Sequence, residues 1–461
     1  MARLRQDRLW RPARDIPFLV LSAAVVLSLI RSVDQPSVDV GIGGTSVSLV
    51  PADLALAALA AVSVHRLLGS GSLPRPARAV AYSAVAFSVW LLISSASNGF
   101  DATVGAAKLL EYGLLGLGIV LVVRRRGQLW LLVGLLVLLV AAAAAYGALQ
   151  FFGLPPLGGR AGQRQPSWLG EHDFAAVATL TLTLALASLY APGHRLGRLP
   201  LVAGVAGVIG VTLGAALAGL MGLYLAVAAI VGLAAVRHAV TRRALTVTAL
   251  VLALVTAGVV GLRSGDLGSF LRWVGIQEKR AEVDAYGASW SQRLIYAYIG
   301  GRMFVSSPIA GVGWYGTIPP KEYARYLPDA RKRFPDQPLH YFPAADDEFI
   351  PQQTYDQVLY ELGAVGALLF LVLGALTART ALDVGRRWPR GDPDELAAYL
   401  SVAWVAALAG GLAGAALFGG IPFAAVFWLT LGVAALGPSL MPAHALAPER
   451  VEPAELPARA R

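Results

Sequence analysis

The chain has 461 residues, 56% of them hydrophobic and only 14% charged, with a mean hydropathy of +0.62. A soluble domain carries about 25% charge, so the composition excludes an ordinary soluble protein and points to the polytopic membrane class. The formal net charge of +10 does not read as a nucleic-acid partner, because arginine parked in short loops serves membrane topology. The chain has no cysteine, which excludes disulfides, thiolate metal sites and a cysteine nucleophile.

A charge-poor stretch of about 20 residues is long enough to cross the hydrocarbon core as a helix. Twelve are predicted, near 16–31, 48–68, 79–97, 103–123, 128–150, 173–191, 199–214, 217–236, 244–262, 357–378, 395–417 and 420–438. The first lacks an A-x-A-like cleavage site, so no cleavable signal peptide is expected. Gly-Ile-Gly-Gly at 41–44 reads as a hairpin turn between the first two spans. The seventh and eighth spans are nearly continuous and divide at Gly214-Ala215-Ala216.

The loops alternate in charge. Arg3, Arg5, Arg8, Arg11 and Arg14 precede the first span, and Arg124-Arg125-Arg126 follows the fourth. Arginines also follow spans two, six, eight and ten, while the short loops between are nearly free of Lys and Arg. This alternation predicts twelve spans with both termini cytoplasmic. Residues 1–262 then hold spans one to nine with a shorter outer loop at 151–172. Residues 263–356 form a large loop facing the periplasm or exterior, 357–441 hold spans ten to twelve, and 442–461 form a disordered cytoplasmic tail. Long loops translocate regardless of charge, so the arginines in the outer loops need a reason other than topology.

Those arginines are the first candidates for chemistry. Arg160 and Arg164 lie on a glycine-rich segment ahead of the sixth span. A guanidinium presents a planar fork that matches phosphate oxygens, so two of them at an outer surface suit a lipid diphosphate. Asp173 is expected to cap the sixth span. His172 beside it could act as a general base, but as a lone histidine at a membrane boundary it ranks behind the large loop. Lys108 and Glu111, three residues apart in the fourth span, share a helix face. They form either a structural ion pair or, through Lys108, part of the lining for an anionic headgroup.

In the large loop, 290–304 has a helical period, with Leu294, Ile295, Tyr298 and Ile299 on one face. That face predicts a helix lying at the membrane interface, with Arg293 near its start and Arg302 further along. It stops before Ser-Ser-Pro308, and Gly311-Val-Gly313 makes a turn. Lys321 to Arg333 is a second helical candidate, its Arg331-Lys332-Arg333 run a solvated face. Asp346-Asp347-Glu348 follows His340. Clustered carboxylates suit either a divalent cation or a general base.

Arg293-x-x-Tyr296, then Pro308-x-x-Gly311-x-Gly313, resembles the "R-x-x-W … P-x-x-G-x-G" pattern of the O-antigen ligase and O-antigen polymerase superfamily. That family's "H-N … L … E-x-G-x-x-G" is matched by Gln352-Gln353, Leu359, Glu361, Gly363 and Gly366. Its "R … P-N-x-F-A" is matched by Arg160 or Arg164 through Phe174-Ala175. The resemblance implies an all-α polytopic membrane protein of GT-C-like, O-antigen-ligase type, with about twelve transmembrane helices and short helices in one large outer loop. It implies an inverting, metal-independent, cofactor-free glycosyltransferase in the plasma membrane, acting in envelope polysaccharide biosynthesis. The glycan would pass from an undecaprenyl (polyprenyl) diphosphate donor to a hydroxyl of a glycan or lipid-glycan acceptor.

By that resemblance Arg293 holds the donor diphosphate with Arg160 or Arg164, and Arg302 and Lys108 are further cations offered to it. The family's loop histidine is replaced by Gln352, which cannot take a proton at neutral pH. Glu348, His340 and Asp347 are the candidates for the missing base. The competing reading is a transporter of lipid-linked oligosaccharide, for which internal repeats and a midplane site would be expected; no clear repeat is visible. A scaffold that kept the fold and lost the histidine is the third.

Overall fold

The structure is a computed structural model that describes residues 14–30, 35–42, 45–70, 75–154, 161–191, 193–265, 276, 287–351, 353–414 and 422–442. The architecture is that of a helical membrane protein, with one small hairpin in addition to the helices expected. In chain order come α1 (Ile16–Ser28), strands β1 (Val38–Ile42) and β2 (Thr45–Leu49), α2 (Pro51–Ser70), α3 (Arg75–Ser97), α4 (Phe100–Val122) and α5 (Arg126–Phe151). Then follow α6 (Glu171–Ser188), α7 (Leu199–Gly214), α8 (Leu217–Val236) and α9 (Arg242–Leu262). The large loop holds α10 (Gly287–Ser306), α11 (Pro320–Tyr323) and α12 (Leu327–Arg333), and α13 (Thr354–Arg387), α14 (Leu396–Gly411) and α15 (Pro422–Leu440) follow it.

Each of the twelve predicted stretches falls on a helix. Among the described residues, eight helices are long and apolar enough to cross a membrane: α2, α3, α4, α5, α8, α9, α13 and α15. The apolar helices α1, α7 and α14 are shorter, and α6 opens on the polar run Glu171-His172-Asp173. The strands pair antiparallel with Ile42 opposite Thr45, so the chain reverses between α1 and α2; Gly43 and Gly44 lie outside the described residues.

Small residues let the helices approach closely, the packing device available where lipid tails are as apolar as leucine. At the α8–α14 crossing a Cβ on Gly222 would lie 2.6 Å from the Ala407 carbonyl oxygen. One continuous apolar core runs through α1 to α9 and α13 to α15.

The large loop has its own core of Ile295, Ile299, Met303, Val312, Ile318, Tyr323, Tyr326, Leu327, Tyr341, Phe342 and Phe349. This corrects the expectation of an interfacial helix. Ile295, Ile299 and Met303, at helical spacing on α10, are fully buried against α11, α12 and the 318–349 bridge. Only Leu294 of the predicted face is exposed. Arg331, Lys332 and Arg333 are solvent-exposed in the last turn of α12, as the charge run predicted.

Candidate active site at the loop end of the bundle

The loop is fixed to the bundle by the two motifs that lie 50 residues apart. The Val312 and Gly313 N–H groups donate to the Tyr360 and Glu361 carbonyls at 3.3 and 2.9 Å, and Ala364 N–H donates to the Pro308 carbonyl at 2.8 Å. The close passage is possible because Gly311 and Gly363 have φ of +72° and +65°. A Cβ on Gly311 would lie 2.2 Å from the Glu361 carbonyl oxygen, and one on Gly363 2.3 Å from that of Ile309. Residue 363 also breaks α13 into two helical pieces.

Glu361 locks this joint. Its side chain is 0% exposed. One carboxylate oxygen accepts from Tyr315 N–H at 2.5 Å and Gly316 N–H at 3.1 Å, and the other from Gln357 Nε2 at 2.9 Å. A buried carboxylate persists only when hydrogen bonds replace its water. On the other side Ser95 Oγ accepts from Trp314 N–H at 2.9 Å, and Ser94 Oγ donates to the Ala310 carbonyl at 2.6 Å. Residues 310–316 are thus clasped by α3 and α13, and the Glu361 carboxylate is an anchor.

A second assembly forms where α7 stops. Ala215 takes a left-handed conformation (φ +44°), and α8 restarts at Leu217. The carbonyls of Leu213, Gly214 and Ala215 accept from Gln165 N–H at 2.9 Å, Arg164 Nε at 3.3 Å and Arg263 Nη1 at 3.2 Å. A helix C-terminus carries partial negative charge, so it favours two guanidinia there. Each guanidinium has five N–H donors, so a bond to a neutral carbonyl fixes its place while leaving its charge in full. Arg164 also pairs with Glu171 at 2.6 Å.

These elements surround the start of α6. The helix begins at Glu171 after Gly170 (φ +89°), which stands at the N-cap position without a side-chain cap bond. Asp173 is therefore not the cap expected from the sequence; it lies inside the first turn, buried. With Gly170 at the N-cap, the helix starts three residues too early for Asp173 to hold that position. His172, in the first turn of α6, is exposed to solvent. Desolvation by the surrounding protein first, and then the charges of Arg164, Arg293 and Arg263, push its pKa down to about 4. At neutral pH its imidazole is uncharged.

The sequence-predicted residues divide accordingly. Arg164 and Arg293 both lie close enough to His172 for their charges to act on it. Arg263, at the end of α9, joins them; sequence reading took it only as the start of the loop, and its position at the same end of the bundle as Arg164 was the available signal. Arg160 and Gln352 lie outside the described residues. Arg302 pairs with Asp329 at 2.9 Å on the exposed loop surface. Lys108 sits between α2 and α4, 2.8 Å from Asp53 and 3.3 Å from Glu111. This is the ion-pair arrangement weighed from the sequence, extended by Asp53.

Asp346, Asp347 and Glu348 share an exposed turn. Its backbone is held by the Tyr323 hydroxyl, which lies against the Ala344 and Asp347 carbonyls. Burial, then the charge of Asp347, raises the Tyr323 pKa to about 12. The Tyr296 ring packs on Phe349 with centroids 5.0 Å apart, which brings this turn within one helical turn of Arg293. His340 is exposed and stands edge-on to Tyr341. Among the described residues no group of three His, Cys, Asp or Glu side chains is placed to hold a metal ion. No protein-family model and no curated protein matches the chain.

Proposed function

We propose that the arginines near the start of α6 bind the diphosphate of a polyprenyl-linked glycan, and that the protein transfers that glycan to an acceptor hydroxyl at the outer face of the plasma membrane. The observation that carries this reading is the seating of Arg164 and Arg263 on the adjacent Gly214 and Ala215 carbonyls at the loop end of the bundle, with Arg293 close enough for its charge to act on the same His172. Guanidinia carry five N–H donors each, so arginines on separate elements can turn donors to the several oxygens of one anion as directed, charge-assisted hydrogen bonds. In the reaction, guanidinia stabilise the charge that grows on a departing diphosphate, usually the largest catalytic contribution.

The surroundings fit a lipid donor. Of the eight long apolar helices, α9 is the least enclosed, with 17% of its apolar window buried. It ends on Arg263, so an isoprenoid tail lying along α9 would present its headgroup to that arginine. Contacts at the two ends of the bundle also fit twelve crossings. Asp15, Arg126, Arg237, Asp392 and Leu440 meet at one end, and Arg164, Ala215, Arg263 and the large loop at the other. With the arginine alternation, this supports a cytoplasmic Arg126 end and an outward-facing loop.

The test is transfer from a native lipid-linked donor by purified protein. Arg293→Ala is expected to abolish turnover while folding and membrane insertion survive; near-normal turnover would overturn the assignment. For a lipid-linked oligosaccharide transporter, the alternative reading, the same variant would instead block movement of donor across vesicles without any transferred product.

A further inference from the structure

We propose that the corner after α10, residues 305–309, rests in the lipid leaflet at the loop end of the bundle, with Arg325 reaching the phosphates of its headgroups. The large loop is then held to the membrane surface as well as to α3 and α13. The proposal does not depend on which reaction the site performs.

The corner is apolar and uncovered. Val305, in the last turn of α10, and Ile309, just after Pro308, are 68% and 66% exposed. The other face of the same helix is different: Ile295, Ile299 and Met303 are fully buried in the loop core. Burying an aliphatic side chain of this size is worth about 1.5–3 kcal/mol, so two of them on one short segment favour a surface that takes them out of water.

The place of the corner in the fold names that surface. Ala364 N–H donates to the Pro308 carbonyl at 2.8 Å, and Val365 N–H to the Ile309 carbonyl at 3.4 Å. The corner therefore lies directly against α13, just past its break at Gly363. From that point Ala364, Leu368, Leu371, Val372 and Ala375 are all exposed at helical spacing. They form the outward face of a helix long and apolar enough to cross a membrane, and the corner continues that face at its upper end. Depth agrees. Ala364 to Arg386, in the last turn of α13, is a rise of about 33 Å along an α-helix. The hydrocarbon core of a bilayer is about 30 Å thick. With Arg386 at the far headgroups, the corner stands where acyl chains meet the near ones.

The charge beside the corner suits that depth. Arg325 is exposed and lies over the Tyr326 ring, 4.8 Å from its centroid. Its Nη2 donates to Ser306 Oγ at 3.4 Å, and the Tyr326 hydroxyl meets the same oxygen at 2.6 Å. The guanidinium is thus fixed next to Val305. Among the described residues no carboxylate pairs with it, whereas Arg302, one turn back on α10, is taken up by Asp329 at 2.9 Å. A guanidinium's planar fork matches phosphate oxygens, and arginine and tyrosine beside apolar surface are the side chains that sit at headgroup level. A second copy of the chain or another protein could also cover the corner, but neither explains why it lines up with the lipid-facing side of α13.

The chain has no cysteine, so single cysteines can be spin-labelled without further change. Val305→Cys, Ile309→Cys and, as the lipid reference, Leu368→Cys are labelled in full-length protein in nanodiscs of mixed phosphatidylcholine and phosphatidylglycerol. Collisions with dissolved oxygen, which concentrates among acyl chains, are compared with collisions with a water-soluble nickel chelate. Oxygen is expected to dominate at all three positions, most strongly at Leu368. Arg325→Glu is expected to shift the Ile309 label toward the chelate by about twofold or more, because one basic side chain at an anionic surface is worth about 1 kcal/mol. Arg325→Lys, which keeps the charge, is expected to retain most of the parent value. Labels at Val305 and Ile309 that favour the chelate put the corner in water, and labels shielded from both reagents put it against protein; either result overturns the proposal. An Ile309 label unmoved by Arg325→Glu, at an unchanged thermal midpoint, overturns the part assigned to Arg325.

Discussion

Arginine is used in two different ways at the two ends of this molecule. At the Arg126 end, Arg126 meets Asp392 and Asp394 at 3.0 and 2.9 Å and lies over the Trp388 ring. Arg237, 4% exposed, donates to Glu395 at 2.6 Å and to the Gly385 and Trp388 carbonyls at 2.7 and 2.8 Å. Two guanidinia face three carboxylates there, and they tie the 388–395 turn to α5, α8 and α15. At the loop end, Arg164 meets Glu171 at 2.6 Å and the Gly214 carbonyl at 3.3 Å, and Arg263 donates to the Ala215 carbonyl at 3.2 Å. The first cluster is built on carboxylates; in the second, Arg164 and Arg263 are seated on helix-end carbonyls. Both would look alike in a count of loop arginines, and only the partners separate a clamp from a site.

The largest effect expected from this contrast is on stability. Arg237→Ala leaves Glu395 and two carbonyls without their buried donor, and removing one partner of a buried pair costs about 3–5 kcal/mol. Thermal unfolding in detergent should show a large drop in midpoint, with activity lost in step with folded protein. Arg293→Ala should do the reverse: transfer falls about 10²–10³-fold, the scale of losing one donor to a developing oxyanion, with an unchanged midpoint. Equal stability losses in both variants would erase the distinction.

A third prediction concerns the joint that carries Arg293. Glu361→Gln replaces a carboxylate that accepts three N–H groups by an amide with one acceptor oxygen. Leaving a buried donor unsatisfied costs about 1–3 kcal/mol, and limited proteolysis should open the loop near 311–316 before the bundle unfolds. The smallest effect is expected at the surface. Lys321 and Asp101 pair at 3.3 Å, each about half exposed, and Lys321→Ala should cost less than about 1 kcal/mol and leave transfer intact.

Local chemistry was legible in the sequence. Apolar length located the twelve helices, glycine located the hairpin reversal after β1, and the stop before Pro308 located the end of α10, because each depends on residues within one or two turns. Long-range geometry was not. Periodicity gave α10 its apolar face, but whether Ile295 and Ile299 meet lipid or Phe349 depends on a segment 50 residues away. The Gly311 and Gly363 motifs were visible as spacing, yet their reason is the passage of one backbone against another. Asp173 was assigned as a cap because capping rules see residue type; a glycine with positive φ at 170 moved the helix start. Arg263 was missed because a cation at the end of a span is usually topological, and its role emerges only beside the carbonyls of the broken α7–α8 corner.

The measurement that bears most directly on the account is the affinity of purified protein in lipid nanodiscs for undecaprenyl diphosphate, compared among wild type, Arg263→Ala and Arg293→Ala. The account predicts saturable binding by the wild type, weakened at least tenfold by each substitution with thermal midpoints unchanged. Equal affinity in all three proteins would contradict it.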